Sequence, residues 1–223
     1  MLALYRVFAF LLTRAVLIWW LLKAETRARV RERLGLVPPG AAGALWFHAA
    51  SVGEFRALKA LIQREWGRPV VVTVQSPQGY ALARRELAVH VPVFAAPLDT
   101  AGAISRFLDR LQPAALVLVE SELWPGWMDA LGRRGTPAVL LDGSLSARSS
   151  AQWSRWDGLA NPIRSALKTV TVSSDAQLRR FEALGFGSVT TALPLKLASD
   201  PLAVDSTLAD RWLEWRDDRA LLV

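Results

Sequence analysis

The chain has 223 residues, 52% of them hydrophobic and 21% charged, with no cysteine, two histidines and a formal net charge of +7. That length holds one large domain or one and a half. Without cysteine there is no disulfide stapling, no thiolate nucleophile and no Cys-ligated zinc or iron–sulfur centre, and two histidines argue against a multi-histidine metal site.

Charge and hydrophobicity concentrate at the N-terminus. Residues 1–34 carry seven Lys or Arg against Glu25 and Glu32, whereas the remaining 189 residues hold 20 basic and 18 acidic groups. The bulk of the chain is therefore nearly neutral, which removes the basic face that a nucleic-acid binder needs. Val7 to Leu22 is apolar at 14 of 16 positions, interrupted by Thr13 and Arg14 and closed by Trp19 and Trp20. As a helix it reaches about 24 Å, short of a bilayer core of about 30 Å. Arg14 makes a full crossing costlier. A cleaved signal is the competing reading, but the positive charge follows the apolar stretch and no small-residue cleavage site succeeds it. The expectation is a helix lying in the membrane surface, with Lys23 to Arg33 against an anionic cytoplasmic leaflet. Residues 1–35 are thus assigned to a membrane-anchor helix and basic segment.

Residues 37–43, Val-Pro-Pro-Gly-Ala-Ala-Gly, form a turn-rich linker into a different composition. Strands are expected at Ala44 to His48, Val70 to Val74, Val91 to Phe94, Ala115 to Val119, Ala138 to Leu141, Thr169 to Val172 and Ser188 to Thr191. Helices are expected near 54–65, 78–88, 100–111, 124–134, 151–166 and 175–184. Leu58, Leu61, Ile62 and Trp66 mark one buried helical face, and Ile104, Phe107, Leu108 and Leu111 mark another. Alternation of this kind with short connections specifies an α/β domain over residues 36–200, a doubly wound, Rossmann-like parallel sheet covered on both faces. After Asp200-Pro201 a further helix is expected from Asp205 to Trp215, and the terminal Ala220-Leu221-Leu222-Val223 reads as the opening of another parallel strand. Residues 201–223 are therefore expected to be a linker helix and the start of a second domain.

Ligands of an open parallel sheet collect at the carboxyl ends of its strands. After the first strand comes His48-Ala49-Ala50-Ser51-Val52-Gly53-Glu54. Gly53 permits a tight turn, and the helix start can hold an anion. One glycine does not make a dinucleotide fingerprint, and there is no Walker A lysine. Glu54, presented at a helix N-terminus, suits a general base that takes a proton from a hydroxyl. It equally suits a carboxylate that complements the helix dipole. After the fourth strand, Glu120 and Glu122 at i, i+2 would point to one side if extended, able to bind a cation or sugar hydroxyls. A capping carboxylate with one solvated neighbour is the alternative, with Pro125 opening the next helix. After the fifth strand, Asp142 to Ser149 offers hydroxyls and Arg148 to an anion, or simply caps a helix. His48 reads as structural before catalytic, and His90 as surface or core. Arg84-Arg85, Arg133-Arg134 and Arg179-Arg180 sit near helix C-termini, where cations favour the dipole.

These loops together resemble a known family. Phe47-His48-Ala49-Ala50-Ser51-Val52-Gly53-Glu54, Ser76-Pro77-Gln78-Gly79, Pro97-Leu98-Asp99, Glu120-Ser121-Glu122-Leu123-Trp124-Pro125 and Leu145-Ser146-Ala147-Arg148-Ser149 occur in the order and spacing of the 3-deoxy-D-manno-octulosonic acid (Kdo) transferases. So does the apolar N-terminal helix with its trailing Arg31-Glu32-Arg33-Leu34-Gly35. The resemblance implies the N-terminal, acceptor-side half of a two-domain GT-B glycosyltransferase. It implies inverting transfer of Kdo from CMP-Kdo to the lipid A precursor, at the cytoplasmic face of the inner membrane. It also implies that CMP-Kdo is held by a C-terminal domain absent from this chain, and that no cofactor is needed. By that resemblance Glu54 is the general base, while Ser51, Gly53, Glu120, Glu122, Arg148 and Lys196 match motif positions on the acceptor side. No metal-ligand set is visible.

Three motifs depart from the family pattern. Ser76-Pro77-Gln78-Gly79 replaces a Thr-Pro-Thr-Gly turn, and Asp142-Gly143-Ser144 stands where the family has Asn-Ala-Arg. Leu193 to Ala198 keeps only Leu-Lys of the junction motif Gly-Asn-Leu-Lys-Phe-Asp. A second reading follows from them, a divergent non-catalytic membrane-bound module whose acceptor-like cleft binds a lipid or a protein.

Overall fold

A computed structural model describes residues 3–5, 7, 29–87 and 91–198. Residues 8–22 of the expected N-terminal helix, the expected helix at 205–215, the terminal strand and His90 lie outside the described residues. From residue 29 the elements are α1 (Val30–Arg33), β1 (Leu45–Ala49), α2 (Val52–Ile62), β2 (Val70–Val74), α3 (Pro77–Leu87), β3 (Val93–Ala95), α4 (Ala101–Leu111) and β4 (Ala115–Val119). There follow α5 (Pro125–Arg134), β5 (Ala138–Leu141), α6 (Ala147–Arg155), α7 (Asp157–Ala166), β6 (Leu167–Val172), α8 (Asp175–Ala183), β7 (Val189–Thr191) and α9 (Leu195–Ala198).

All seven expected strands form one parallel sheet in the order β3-β2-β1-β4-β5-β6-β7. The chain first winds outward from β1 to β3, then returns to the other side of β1 with β4, so the direction of winding reverses between β1 and β4. In a sheet of this class the ligand crevice lies at the carboxyl ends of those two strands.

Strand alternation divides the core in two. Leu45, Phe47 and Ala49 of β1, with Val72, Val74, Val117 and Val119, meet Phe55, Leu58 and Ile62 of α2 and Ala83 and Leu87 of α3. Trp46, Leu116, Leu118 and Leu140 meet Ile104 and Phe107 of α4, Trp127 and Leu131 of α5, Ile163 of α7 and Phe181 of α8 on the other face. Because both faces are covered, the strands are apolar along their whole length rather than alternating. Trp46 is buried without loss of its indole hydrogen bond, since Nε1 donates to Thr73 Oγ1 at 2.8 Å, and its ring lies 4.7 Å from Phe107 and 5.0 Å from Trp127.

Two features differ from the sequence expectation. The single helix expected over 151–166 is two, α6 and α7, broken at Trp156 with φ −110° and ψ 48°. Ser146 starts α6 earlier by accepting the Ser149 amide at 3.0 Å, so this loop is a capped helix start. The second difference lies in the basic segment. Arg33 is only 5% exposed, donating to Gln75 Oε1 at 2.9 Å and to the Gln75 carbonyl at 2.5 Å, so it faces the domain rather than a lipid surface. Burial, then the neighbouring Arg29, pulls its guanidinium down to about 10. Around it Glu32 accepts the Ala95 amide at 2.6 Å and the Tyr80 hydroxyl at 3.2 Å, and Arg29 lies 4.8 Å over the Tyr80 ring. These contacts stitch α1 to the β2–β3 edge of the sheet. Among the described residues no helix is long and apolar enough to cross a membrane.

Candidate active site at the sheet switch point

Glu54 stands in the first turn of α2, immediately beyond β1. Ser51 is the N-cap: its Oγ accepts the Glu54 amide at 3.2 Å and donates to Glu54 Oε1 at 3.2 Å, while Glu54 Oε2 accepts the Ala50 amide at 2.7 Å. This is a capping box displaced by one residue, in which the carboxylate reaches the amide before the cap rather than the cap itself. The capping reading of Glu54 is therefore realised in the structure. It does not compete with a chemical role, because the same bonds fix the carboxylate where β1 and β4 part. Glu54 is 8% exposed. Burial pushes its carboxyl above the usual range, the Ala50 amide opposes this, and Glu122 and then Glu120 add like charge that raises it again. A carboxylate held desolvated and near other anions is a better proton acceptor than one in water.

Gly53 lies inside α2, and its backbone is not in the left-handed region, so the turn does not require glycine. A Cβ there would meet only Ser51 Oγ at 3.8 Å. What Gly53 supplies is open space beside Glu54. Gly79 is the opposite case: a Cβ would fall 2.8 Å from Ser76 Oγ, 2.9 Å from Val74 Cγ1 and 3.3 Å from the Ser51 carbonyl carbon. The β2–α3 turn can press against the Ser51 loop because this residue has no side chain.

The β4 loop does not present its carboxylates as an extended pair. Glu120 has φ +58°, which turns the chain. Its Oε1 is 2.7 Å from Lys196 Nζ on α9, and that contact raises the lysine pKa. Glu122 goes the other way: Oε2 accepts Trp124 Nε1 at 2.8 Å and lies 3.5 Å from His48 Nε2. The i, i+2 expectation is corrected accordingly, although both carboxylates stay within electrostatic reach of Glu54. Neither caps α5. That helix is capped from a distance by Asp99, whose Oδ1 accepts the Trp127 amide at 2.7 Å and Oδ2 the Gly126 amide at 3.1 Å. The Asp99 carboxyl also receives the Tyr5 hydroxyl, and burial raises its pKa. Pro97-Leu98-Asp99 carries no local sign of this role, because the helix it caps starts 26 residues later, at Pro125.

Of the sequence-derived residues, Ser51, Gly53, Glu54, Glu120, Glu122 and Lys196 gather around the β1 and β4 ends, Lys196 through Glu120. Arg148 is exposed in the first turn of α6 and contacts none of them. Asp142, also left-handed at φ +50°, accepts the Leu195 amide at 3.2 Å and so holds α9 beside the crevice. Among the described residues no three His, Asp or Glu side chains gather as a metal ion would require.

Residues 28–199 match the family model described as 3-Deoxy-D-manno-octulosonic-acid transferase (kdotransferase). A 3-deoxy-D-manno-octulosonic acid transferase from Haemophilus influenzae is 28% identical over 169 residues, covering 72% of this chain and 39% of the relative. The probable mitochondrial transferase of the same name from Arabidopsis thaliana is 33% identical over 138 residues, 58% of this chain and 30% of its own. One from Rickettsia felis is 26% identical over 196 residues, 86% of this chain and 42% of the relative. The chain thus spans less than half the length of these relatives. Among solved structures, UDP-GlcNAc 2-epimerase from Neisseria meningitidis superposes with TM-score 0.50 at 10% identity, over 79% of this chain and 54% of the epimerase, a likeness of fold alone. With the family model covering the sheet and every motif that forms the crevice, the chain belongs to the 3-deoxy-D-manno-octulosonic acid transferase family.

Proposed function

We propose that this chain is the acceptor-side domain of a GT-B Kdo transferase that moves Kdo from CMP-Kdo to the lipid A precursor, lipid IVA, at the cytoplasmic face of the inner membrane. Glu54 takes the proton of an acceptor hydroxyl as its oxygen attacks the anomeric carbon of Kdo. The bond from that carbon to the CMP oxygen breaks on the opposite side, CMP leaves with the electron pair, and the anomeric centre is inverted. Activation resides in the CMP leaving group, so the acceptor side needs only a base and orientation, with no resident cofactor. The observation that carries this reading is the Glu54 carboxylate, buried and fixed by the Ala50 amide and the Ser51 hydroxyl at the switch point. Glu120, Glu122, Lys196 and, from α6, Arg148 are proposed to meet the acceptor's sugar and phosphate groups. The apolar, basic residues up to 28 are proposed to bring the domain to the lipid surface, Arg33 being turned to the domain instead, and a C-terminal domain would hold CMP-Kdo.

The test is a transfer assay on protein expressed from the gene through to its natural stop codon, with lipid IVA in mixed micelles and CMP-Kdo. The expected result is lipid IVA heavier by Kdo, with stoichiometric release of CMP. Binding of lipid IVA without any transfer would overturn this reading in favour of the non-catalytic module.

A further inference from the structure

His48 has no part in the mechanism above, yet it is completely buried in β1, one loop before Glu54. Its ring packs edge-on against Trp127 at 4.9 Å. Nδ1 lies 2.9 Å from Thr73 Oγ1, on the neighbouring strand β2, and that same oxygen accepts Trp46 Nε1 at 2.8 Å. Nε2 makes no hydrogen bond of standard geometry and lies 3.5 Å from Glu122 Oε2.

These contacts favour the Nε2–H tautomer, in which the Thr73 hydroxyl both accepts and donates. Thr73 Oγ1 already accepts from Trp46 and has one hydrogen to give, and Nδ1 is the acceptor within reach. The ring proton then sits on Nε2, facing a carboxylate oxygen. The reverse arrangement would set the Nε2 lone pair against that oxygen in a buried setting.

We propose that His48 is a positioning residue: its Nε2–H, backed by the Trp46–Thr73 chain, holds Glu122 Oε2 so that Glu122 Oε1 is presented to an acceptor hydroxyl beside Glu54. This rests on the transferase reading above. Two N–H groups, from His48 and Trp124, converge on the same oxygen, which removes rotation of the carboxylate and leaves the other oxygen for the ligand. A contact of 3.5 Å is of the kind that tightens in the substrate complex.

Two measurements test it. The chain contains two histidines, so two-bond 1H–15N spectra of the labelled protein, assigned with His90→Gln, report the proton positions of the His48 ring at pH 7. A proton on Nε2 is expected, and a neutral ring protonated on Nδ1 would overturn the proposal. In the transfer assay, His48→Gln keeps an N–H close to the Nε2 position, whereas His48→Leu fills similar volume without one. The Gln variant should stay within a few-fold of the parent while the Leu variant loses roughly 10- to 100-fold in kcat. Equal losses in both would also overturn it. Should the Leu variant fail to fold, an Asn variant, which reaches Thr73 but not Glu122, takes its place. A protonated Nε2 in a parent protein that transfers nothing counts against the transferase reading alone, and a protonated Nδ1 in an active parent counts against the role of His48 alone.

Discussion

Ser51 and Glu54 restrain each other, the Ser51 hydroxyl accepting the Glu54 amide and donating to the Glu54 carboxylate, each at 3.2 Å. The helix cap and the proposed base are therefore one device. Ser51→Ala should lower stability by about 1 kcal/mol through the lost N-cap. It should also lower kcat further than that loss explains, because Glu54 keeps the Ala50 amide alone. Ser51→Thr should restore both. Thermal denaturation beside transfer kinetics makes the comparison.

The electrostatics of Glu54 set a pH dependence with a definite sign. Burial first, reinforced by the charge of Glu122, raises the carboxyl in the folded protein. A base must be ionised, so kcat should fall with decreasing pH through a value above the ordinary carboxylate range. Glu122→Gln removes one raising charge and should move that acidic limb to lower pH. Stability runs the other way: a raised folded-state pKa favours the fold when Glu54 is protonated. That contribution is complete below the unfolded-state value and is lost as pH rises through the folded-state value. Rate profiles of the parent and Glu122→Gln, with denaturation midpoints across the same pH range, check both signs.

Gly53 separates fold from function. Its backbone suits any residue and a Cβ would meet only Ser51 Oγ at 3.8 Å. Gly53→Ala should raise stability, by up to about 1 kcal/mol on helix propensity. The new methyl occupies space beside Glu54, so the KM for the acceptor should rise. Equal KM values in the two proteins would show that the acceptor does not approach this turn.

Glu120 carries strain with a purpose that can be measured. A non-glycine residue at φ +58° is disfavoured, and Glu120→Gly should relieve about 1 kcal/mol. The exposed Lys196 pair it gives up contributes little to stability. A midpoint that rises while transfer falls would identify Glu120 as a residue retained for the site.

Much of the fold is legible in sequence because each strand and helix announces itself locally: β-branched runs such as Val70 to Val74, and the 3.6-residue stripe through Ile104, Phe107, Leu108 and Leu111. The switch point was legible too, since Ser51 to Glu54 and Glu120 to Pro125 follow the strands that the order places side by side. What was hidden depends on contacts across the sheet. Nothing near Asp99 in sequence says that it caps a helix starting at Pro125, and Thr73 gives no sign that it aligns His48. Lys196 reaches Glu120 from α9, whose Leu195 amide is accepted by Asp142 across the fold. Arg33 reads as one of a run of surface cations until Gln75 accepts from it with its side chain and its carbonyl. The break at Trp156 is not legible because the apolar spacing of Trp153, Trp156, Leu159 and Ile163 continues through it.

The proposed removal of the acceptor's proton by Glu54 is probed by Glu54→Gln. Glutamine keeps an oxygen for the Ala50 amide and the shape of the cap but cannot accept a proton at neutral pH. With lipid IVA and CMP-Kdo supplied, the expected result is a folded variant with a midpoint no lower than the parent's and matched acceptor binding, whose kcat is lower by at least about 100-fold. A folded Glu54→Gln variant that transfers Kdo at the parent's rate would contradict it.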